Sequence, residues 1–451
     1  MKTTATRHNQ ALCSLCCLLA TTTAWSGDLL SAYRDALKYD SQLAAARYSM
    51  EAGKEGAVQG RSQLLPQVEA SAEGSRSWIH YVPGNNVPGQ LETKDSNGNK
   101  YDGAISAQQP IFRAQNLTTY EQGKLGAQAS ELQYHIAEQQ LMLRVAKAYF
   151  DVLQARDAVT VAASQKEAFF EQLAQAKKRF QVGVATITDT YEAQSRFDAT
   201  NAQEIAARND LEVKTNALRQ LTGTNQDWIA SLNSKMKPSQ PEPKDLNVWQ
   251  DMATSGNLVL RAQQLNEQVA KYEVQKNRQA HLPTLDLVGR VGKTWDQVGA
   301  RNGGTDQTRV ASVGLQLNVP IYAGGVLDSK VREAAANYEK TKQDVLTTRR
   351  SVEQDTKSAF LGVTSGAAQV QALEQALVSA QSQLDATRTG QQIGVRTNVD
   401  VLNAQQQYYQ IYSNLLQARY GYLLAKLNLA FQAGQLSDTD LAEVNHLLVR
   451  P

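Results

Sequence analysis

The chain has 451 residues, 42% of them apolar but only 7% aromatic, with 28 glycines and 10 prolines. Length alone allows two or three ordinary domains, yet this composition is lean for thick hydrophobic cores and points to thin elements with narrow apolar seams. A formal charge of +2 lacks the basic face of a nucleic-acid binder, and no run of about 18 apolar residues is present to build a helical membrane bundle.

Residues 1–26 read as a secretory signal: Lys2 and Arg7 start it, Ala11 to Ala20 form its apolar core, and Ala24-Trp25-Ser26 is a small-x-small cleavage site. Removing two basic and no acidic residues leaves 44 against 44. Cys13, Cys16 and Cys17 all lie inside this segment, so the mature chain is expected to hold no thiol, disulfide or cysteine metal ligand. Leu12, Leu15 and Cys16 precede them, where a lipoprotein signal needs a small residue. The expected destination is the periplasm or the outer membrane.

The remainder is two copies of one plan. Leu65-Pro66 recurs at Leu282-Pro283, 217 residues on, and the same shift carries Arg61 onto Arg278, Leu43 onto Leu260 and Trp78 onto Trp295. Gln109-Pro110-Ile111-Phe112 matches Val319-Pro320-Ile321-Tyr322 at 210, and Gly183-Val184 matches Gly394-Val395 at 211. Repeat 1 is predicted over 27–237 and repeat 2 over 245–434, joined by a Pro-rich linker at 238–244 and followed by a C-terminal segment, 435–451. Two units of about 210 residues mean a duplicated domain rather than a solenoid, which needs at least three short repeats.

In chain order, each copy predicts a short helix, a hairpin, a long helix, a turn and a returning helix. The hairpins span about 67–112 and about 284–320. In the second, Ala311, Val313, Leu315, Leu317 and Val319 alternate with Ser312, Gly314, Gln316 and Asn318, giving one apolar and one polar face. Turn-rich tips are read at Pro83-Gly84, Pro88-Gly89, Asn97-Gly98 and Asn302-Gly303-Gly304. Residues 111–237 and 321–450 contain no proline, so helices are predicted over about 114–181, 188–222, 326–391 and 398–433. Val145, Val152, Val159, Leu173 and Phe180 form one heptad row and Ala148, Ala155, Ala162, Phe169 and Ala176 its partner, a coiled-coil seam. The second copy runs Val331, Tyr338, Val345, Val352, Ala359 and restarts at Val363, a stutter. At about 1.5 Å per residue the long helices are rods of roughly 100 Å.

Four strands cannot close a membrane barrel, since such barrels begin at about 8 strands, and an open apolar pair would aggregate. Two chains would give a filled barrel, whereas three would give 12 strands and a water-filled lumen lined by the polar faces. Trp78 and Trp295, at matching positions near the strand ends, are expected at one height at a membrane–water interface. The rods then project into the periplasm.

The segments LPQVEASAEG, QQPIFRA, VPIYAGG, FQVGVATITDTYEAQ and IGVRTNVDVLNAQ, with the duplication itself, make the mature chain similar to the TolC family of outer-membrane channel-tunnels almost end to end. The resemblance implies a mainly α fold with a membrane β-barrel, built by a homotrimer. It also implies docking on a periplasmic adaptor and an inner-membrane transporter, either an ATP-driven (ABC) exporter of polypeptides or a proton-driven pump of small molecules. The expected function is a passive duct for type I protein secretion, with multidrug efflux as the alternative. A periplasmic coiled-coil structural protein is the rival of another class, and it leaves the hairpins and the duplication unexplained.

The turns at 183–189 and 394–400 are repeat equivalents. Asp189 and Asp400 begin returning helices, where an acidic residue caps or complements the helix dipole. Arg396 stands where the first copy has Ala185. The family resemblance carries Thr188, Asp189 and Arg396 onto the links that close the periplasmic entrance and Asp400 onto its acidic ring. Gln391 replaces an expected tyrosine and Asn403 an expected ring aspartate, which implies a looser gate and a less cation-attracting entrance. The five histidines, at 8, 80, 135, 281 and 446, have no ligand spacing. Asp95-Ser96-Asn97-Gly98-Asn99 lacks the sixth-position glycine of an EF loop and reads as a hairpin tip. No nucleophile, base or phosphate loop suggests an enzyme, and no cofactor is expected.

Overall fold

The computed structural model describes residues 27–81, 94–224, 229–233, 236–298 and 304–449; the signal segment and the predicted turns at Pro83-Gly84, Pro88-Gly89 and Asn302-Gly303 lie outside them. The elements are α1 (Leu29–Tyr39), α2 (Ser41–Ser62), β1 (Gln67–Tyr81), β2 (Lys94–Phe112), α3 (Ala114–Gln181), α4 (Ile187–Thr222), β3 (Ser231–Leu232), α5 (Leu246–Gly256), α6 (Leu258–Gln279), β4 (Thr284–Asp296), β5 (Asp306–Asn318), α7 (Val326–Gln392), α8 (Asn398–Gln432), α9 (Asp438–Asn445) and β6 (Leu448–Val449). The chain is mainly helical, and among the described residues no helix is long and apolar enough to cross a membrane.

Where the sequence predicts one helix ahead of each hairpin, there are two. The first copy breaks at Asp40, whose Oδ1 accepts the Leu43 N–H at 2.7 Å. The second breaks at Asn257, whose Oδ1 accepts the N–H groups of Val259 (3.0 Å) and Leu260 (3.1 Å). These positions are 217 residues apart, the repeat offset. A buried Asx side chain competes with the preceding turn for backbone donors and restarts the helix, a break that hydrophobic periodicity does not register.

The chain divides into two compact units. One, Ala44–Ala137 with Met252–Gln354, carries the antiparallel sheet in the order β1-β2-β4-β5. Alternation sorts its side chains. Val68, Ala70, Ile105, Leu285, Leu287, Val291, Val313, Leu315 and Leu317 share one face, while Glu69, Glu73, Asp102, Ser106, Gln108, Arg290, Ser312 and Gln316 share the other. On the polar face Arg290 pairs with Asp102 (3.1 Å), which also accepts the Thr294 hydroxyl (2.6 Å). At the base of the sheet Arg113 makes a forked pair with Asp286 at 2.8 and 2.6 Å, and Gln108 donates to the same carboxylate at 3.1 Å. Every residue of β5 is exposed.

One sequence expectation changes here. Asn97 and Gly98 are not a tip: they lie inside β2, opposite Trp78 and Ser77. Gly98 serves close approach instead, since a Cβ there would come within 2.8 Å of Gln297. The two tryptophans occupy different hydrogen-bonded rows, and because barrel strands tilt, a row is not a membrane height. Trp295 lies opposite Tyr101, and Tyr101 opposite Gly74, four residues short of Trp78. Both tryptophans lie twelve residues past the proline that precedes their strand, Pro66 and Pro283, so the offset comes from the stagger of β1 and β4 against β2.

The other unit, Met1–Leu43, Glu138–Asp251 and Asp355–Pro451, is built on the helical seam. Val145, Val152, Ala155, Ala162, Phe169, Leu173 and Ala176 are buried, as are Ala359, Val363, Val370 and Leu384 across the stutter, whereas Phe180, at the end of its row, is 43% exposed. Buried polar contacts fix the seam. The Tyr420 hydroxyl donates to Asp157 at 2.5 Å, and the Tyr149 hydroxyl donates to Gly27 O (2.9 Å) and accepts the Ala230 N–H (3.1 Å). Glu204, 5% exposed, lies between Lys166 and Arg208, whose charges hold its carboxyl below the usual range. Ser239 of the Pro-rich linker donates its N–H to the Tyr422 hydroxyl and accepts that hydroxyl on its carbonyl, each at 3.0 Å. The C-terminal segment forms α9 and a two-residue strand, β6, paired with β3.

Two measurements follow. Asn257→Ala should cost about 1 kcal/mol in thermal unfolding by the loss of a helix cap, and Asp40→Ala more, because the Asp40 Oδ1 also accepts from Arg144 at 3.1 Å. Burial pushes the Asp157 carboxyl up, and the Tyr420 bond pulls it down. A raised carboxyl contributes stability that is complete below its unfolded pKa and lost as pH rises through the folded one. Tyr420→Phe should therefore raise Asp157 further and lower the unfolding temperature more at pH 7 than at about pH 4, near the unfolded aspartate value.

Candidate functional site

The two turns that join the long helices to their returning partners fold alike. After α3, Gly183 takes φ +77°, and after α7 Gly394 takes φ +81°. In each, a backbone N–H reaches back five residues to close the helix: Val184 to Arg179 and Val395 to Gly390, both at 2.9 Å. This left-handed closure needs glycine, because a Cβ at that φ meets the following carbonyl.

Each returning helix then starts with the same reciprocal cap. Asp189 Oδ2 accepts the N–H and hydroxyl of Thr186 at 2.9 Å while Thr186 Oγ1 accepts the Asp189 N–H at 3.3 Å. Thr397 and Asp400 repeat this at 2.9, 2.9 and 3.2 Å. The capping reading of the two aspartates therefore holds. In both caps only Oδ2 is engaged, and the Asp189 Oδ1 is without a partner among the described residues. The Thr397 N–H, then its hydroxyl, then the Arg396 charge hold the Asp400 carboxyl below the usual range.

Arg396 is exposed. Its backbone N–H donates to Gly390 O at 3.1 Å, and its stem lies over Gly390, where a Cβ would come within 2.8 Å of Cγ. Within the chain its guanidinium makes no hydrogen bond to Thr188 or Asp189. Thr188, in the first turn of α4, is exposed. Gln391, 9% exposed, donates to the Asn398 side chain at 3.0 Å and so ties the end of α7 to the start of α8. Asn403 accepts from Arg196 at 3.1 Å, and the same guanidinium reaches Gln406.

Arg196 is the functional candidate that sequence reasoning missed. Its repeat counterpart is Gln407, 211 residues on, so the asymmetry that singled out Arg396 was present here too. Beneath the turns, Phe169, Leu173, Ala176, Ala193 and Leu402 form one apolar cluster and Leu384, Val401 and Ala404 another. Among them Thr190 Oγ1 and both amide atoms of fully buried Gln405 have no partner among the described residues. Each such group costs roughly 1–3 kcal/mol relative to a paired one.

Comparison with known proteins gives this geometry its context. The profile of the family described as outer membrane efflux protein matches residues 32–224 and 249–435, once in each copy. The outer membrane protein TolC of Escherichia coli is 32% identical over 433 residues, covering 94% of this chain and 85% of that protein. The alkaline protease secretion protein AprF of Pseudomonas aeruginosa is 33% identical over 426 residues, covering 94% and 88%. The crystal structure of the outer membrane protein VceC from Vibrio cholerae superposes with a TM-score of 0.75 at 16% identity, covering 90% of this chain and 96% of that one, a likeness of fold. With both copies matched and the likeness to TolC and AprF running nearly end to end, the chain belongs to the outer membrane efflux protein family and forms an exit duct in the outer membrane.

Proposed function

We propose that three copies close their four-stranded sheets edge to edge into one barrel in the outer membrane, with the helical unit in the periplasm. The duct so formed passes polypeptides delivered by an ATP-driven inner-membrane exporter and its adaptor. The observation that carries the cargo class is the near end-to-end likeness to a protein named for alkaline protease secretion. Two copies would make a barrel of a size that side chains fill, whereas three leave a lumen. The polar face supplies its lining. Among its described side chains the carboxylates Glu69, Glu73, Asp102, Asp286, Asp296 and Asp306 outnumber the cations Lys100 and Arg290, so the pore should favour cations. Cross-linking in cells, followed by identification of the attached transporter, tests the reading: an ATP-driven exporter supports it, and a proton-driven pump would replace polypeptide cargo with small molecules. Purified protein should be a detergent-dependent trimer that conducts in planar bilayers with a cation-selective reversal potential. A monomer or dimer inert in bilayers would end the proposal.

The turns form the gate in this reading. Arg396, with no acceptor in its own chain at Thr188 or Asp189, reaches Thr188 and the open Oδ1 of Asp189 in the adjacent hairpin of the ring. Asp400 keeps the entrance acidic, and Asn403, held by Arg196, contributes no charge to it. An exposed ion pair contributes at most about 1 kcal/mol, but threefold symmetry repeats the link. Arg396→Ser should raise single-channel conductance several-fold with trimer yield unchanged. Combined with Asp189→Ala it should give less than the sum of the two single effects, as coupled residues do. An unchanged conductance in Arg396→Ser removes the residue from the gate.

A further inference from the structure

The apolar face of the sheet changes character in three successive rows towards the hairpin tips. The first is Ala70, Ile105, Val291 and Ala311; the second Ala72, Gly103, Lys293 and Arg309; the third Gly74, Tyr101, Trp295 and Gln307. Hydrocarbon side chains give way to two cations and then to an aromatic belt. Lys293 and Arg309 stand directly opposite each other on β4 and β5. Like charges so placed, with Cβ atoms about 5 Å apart, repel. The sheet does pair cations elsewhere: Arg290, on the polar face, is neutralised by Asp102. Lys293 and Arg309 have no carboxylate partner among the described residues. Lys293 lies instead over the Trp295 ring, 4.5 Å from its centroid, and Arg76 on the same face lies over Trp78 at 5.4 Å.

Height agrees with this profile. The cationic row is nine residues above the start of β4 at Thr284, about 30 Å along a strand at ~3.3 Å per residue. A tilt of roughly 40° brings it near the top of an apolar band about 25 Å tall. Small residues at Ala70, Gly103 and Ala311 leave a depression of about 710 Å³ bordered by Ile105, Val291, Lys293 and Arg309. It offers apolar walls on its membrane side and two unmatched positive charges on its outer side.

We infer that this depression binds a phosphate-bearing lipid of the outer leaflet, its acyl chains along Ala70, Ile105, Val291 and Ala311 and its phosphate between Lys293 and Arg309. A phosphate there removes the repulsion between the two cations and makes charge-assisted hydrogen bonds with both. Cationic pockets at the membrane surface bind acidic headgroups by this same logic. The inference rests on the proposed barrel, which turns this face to lipid.

The test uses the purified full-length channel in detergent and three probes: lipid A carrying two phosphates, the same lipid dephosphorylated, and inorganic phosphate. Native mass spectrometry should find the bisphosphorylated lipid bound to the wild type and at least tenfold more weakly to Lys293→Gln/Arg309→Gln. Dephosphorylated lipid should bind both proteins equally weakly. The charge-keeping exchange Lys293→Arg/Arg309→Lys should retain binding, and Lys100→Gln, on the polar face, should leave it unchanged. Inorganic phosphate at millimolar concentration should not displace the lipid; if it does, the site takes a free anion and the lipid assignment is overturned. A variant retaining Trp295 as its only mature-chain tryptophan, reconstituted with brominated lipid, separates the two ways of failing. Quenched Trp295 with unchanged lipid binding in the double variant overturns the site alone, while unquenched Trp295 overturns the barrel orientation and the site together.

Discussion

The sheet order β1-β2-β4-β5 leaves one side of β1 and one side of β5 without a partner in the chain, and hydrocarbon offers an unpaired peptide group no substitute for water. Soluble proteins blunt such edges with bulges or prolines. Here β5 pairs with β4 over thirteen residues without a register shift, and its outer side is kept straight and open. The barrel proposed above would pair this edge with a strand of the next copy. The rest of the protein is subordinate to that need: the sheet is anchored at its base by Arg113 on Asp286, and its exposed apolar face is suited to lipid.

Elements whose cause is local were legible in the sequence. The absence of proline delimited α3, α4, α7 and α8, the heptad rows marked the buried seam, and Gly183 and Gly394 marked the turns, because each rests on a property of one residue or one period. What was missed depends on pairing. Asp40 and Asn257 resemble any polar helix residue until their side chains are seen on backbone donors. Asn97-Gly98 has the composition of a turn, but the partner strand β1 extends past it and cross-strand bonding prevails. The pairing of β3 with β6 joins segments more than 200 residues apart, a separation over which no periodicity carries information.

At the turns, duplication and divergence can be told apart. The glycine closures and Thr–Asp caps are the same in both copies, so they are what any such hairpin needs to reverse direction. The copies differ at Arg396 against Ala185 and Arg196 against Gln407. Folding requires neither cation, since neither is repeated. The Arg196 guanidinium is hydrogen-bonded to Asn403 within the chain, whereas Arg396 is exposed, with its stem over Gly390.

The duplicated chain is nonetheless stitched across its copies. Asp157 of the first is bonded by Tyr420 of the second, the linker is clasped by Tyr422, and Asp28 is held by Asn445 of the C-terminal segment. A polypeptide crossing into the periplasm N-terminus first would have half of its helical unit in place long before α8 and α9 arrive to complete it. The early half would wait with its seam uncovered until they do. A chain that stopped short of Tyr420 would leave the Asp157 carboxylate without its hydroxyl partner and the seam of the first copy half built.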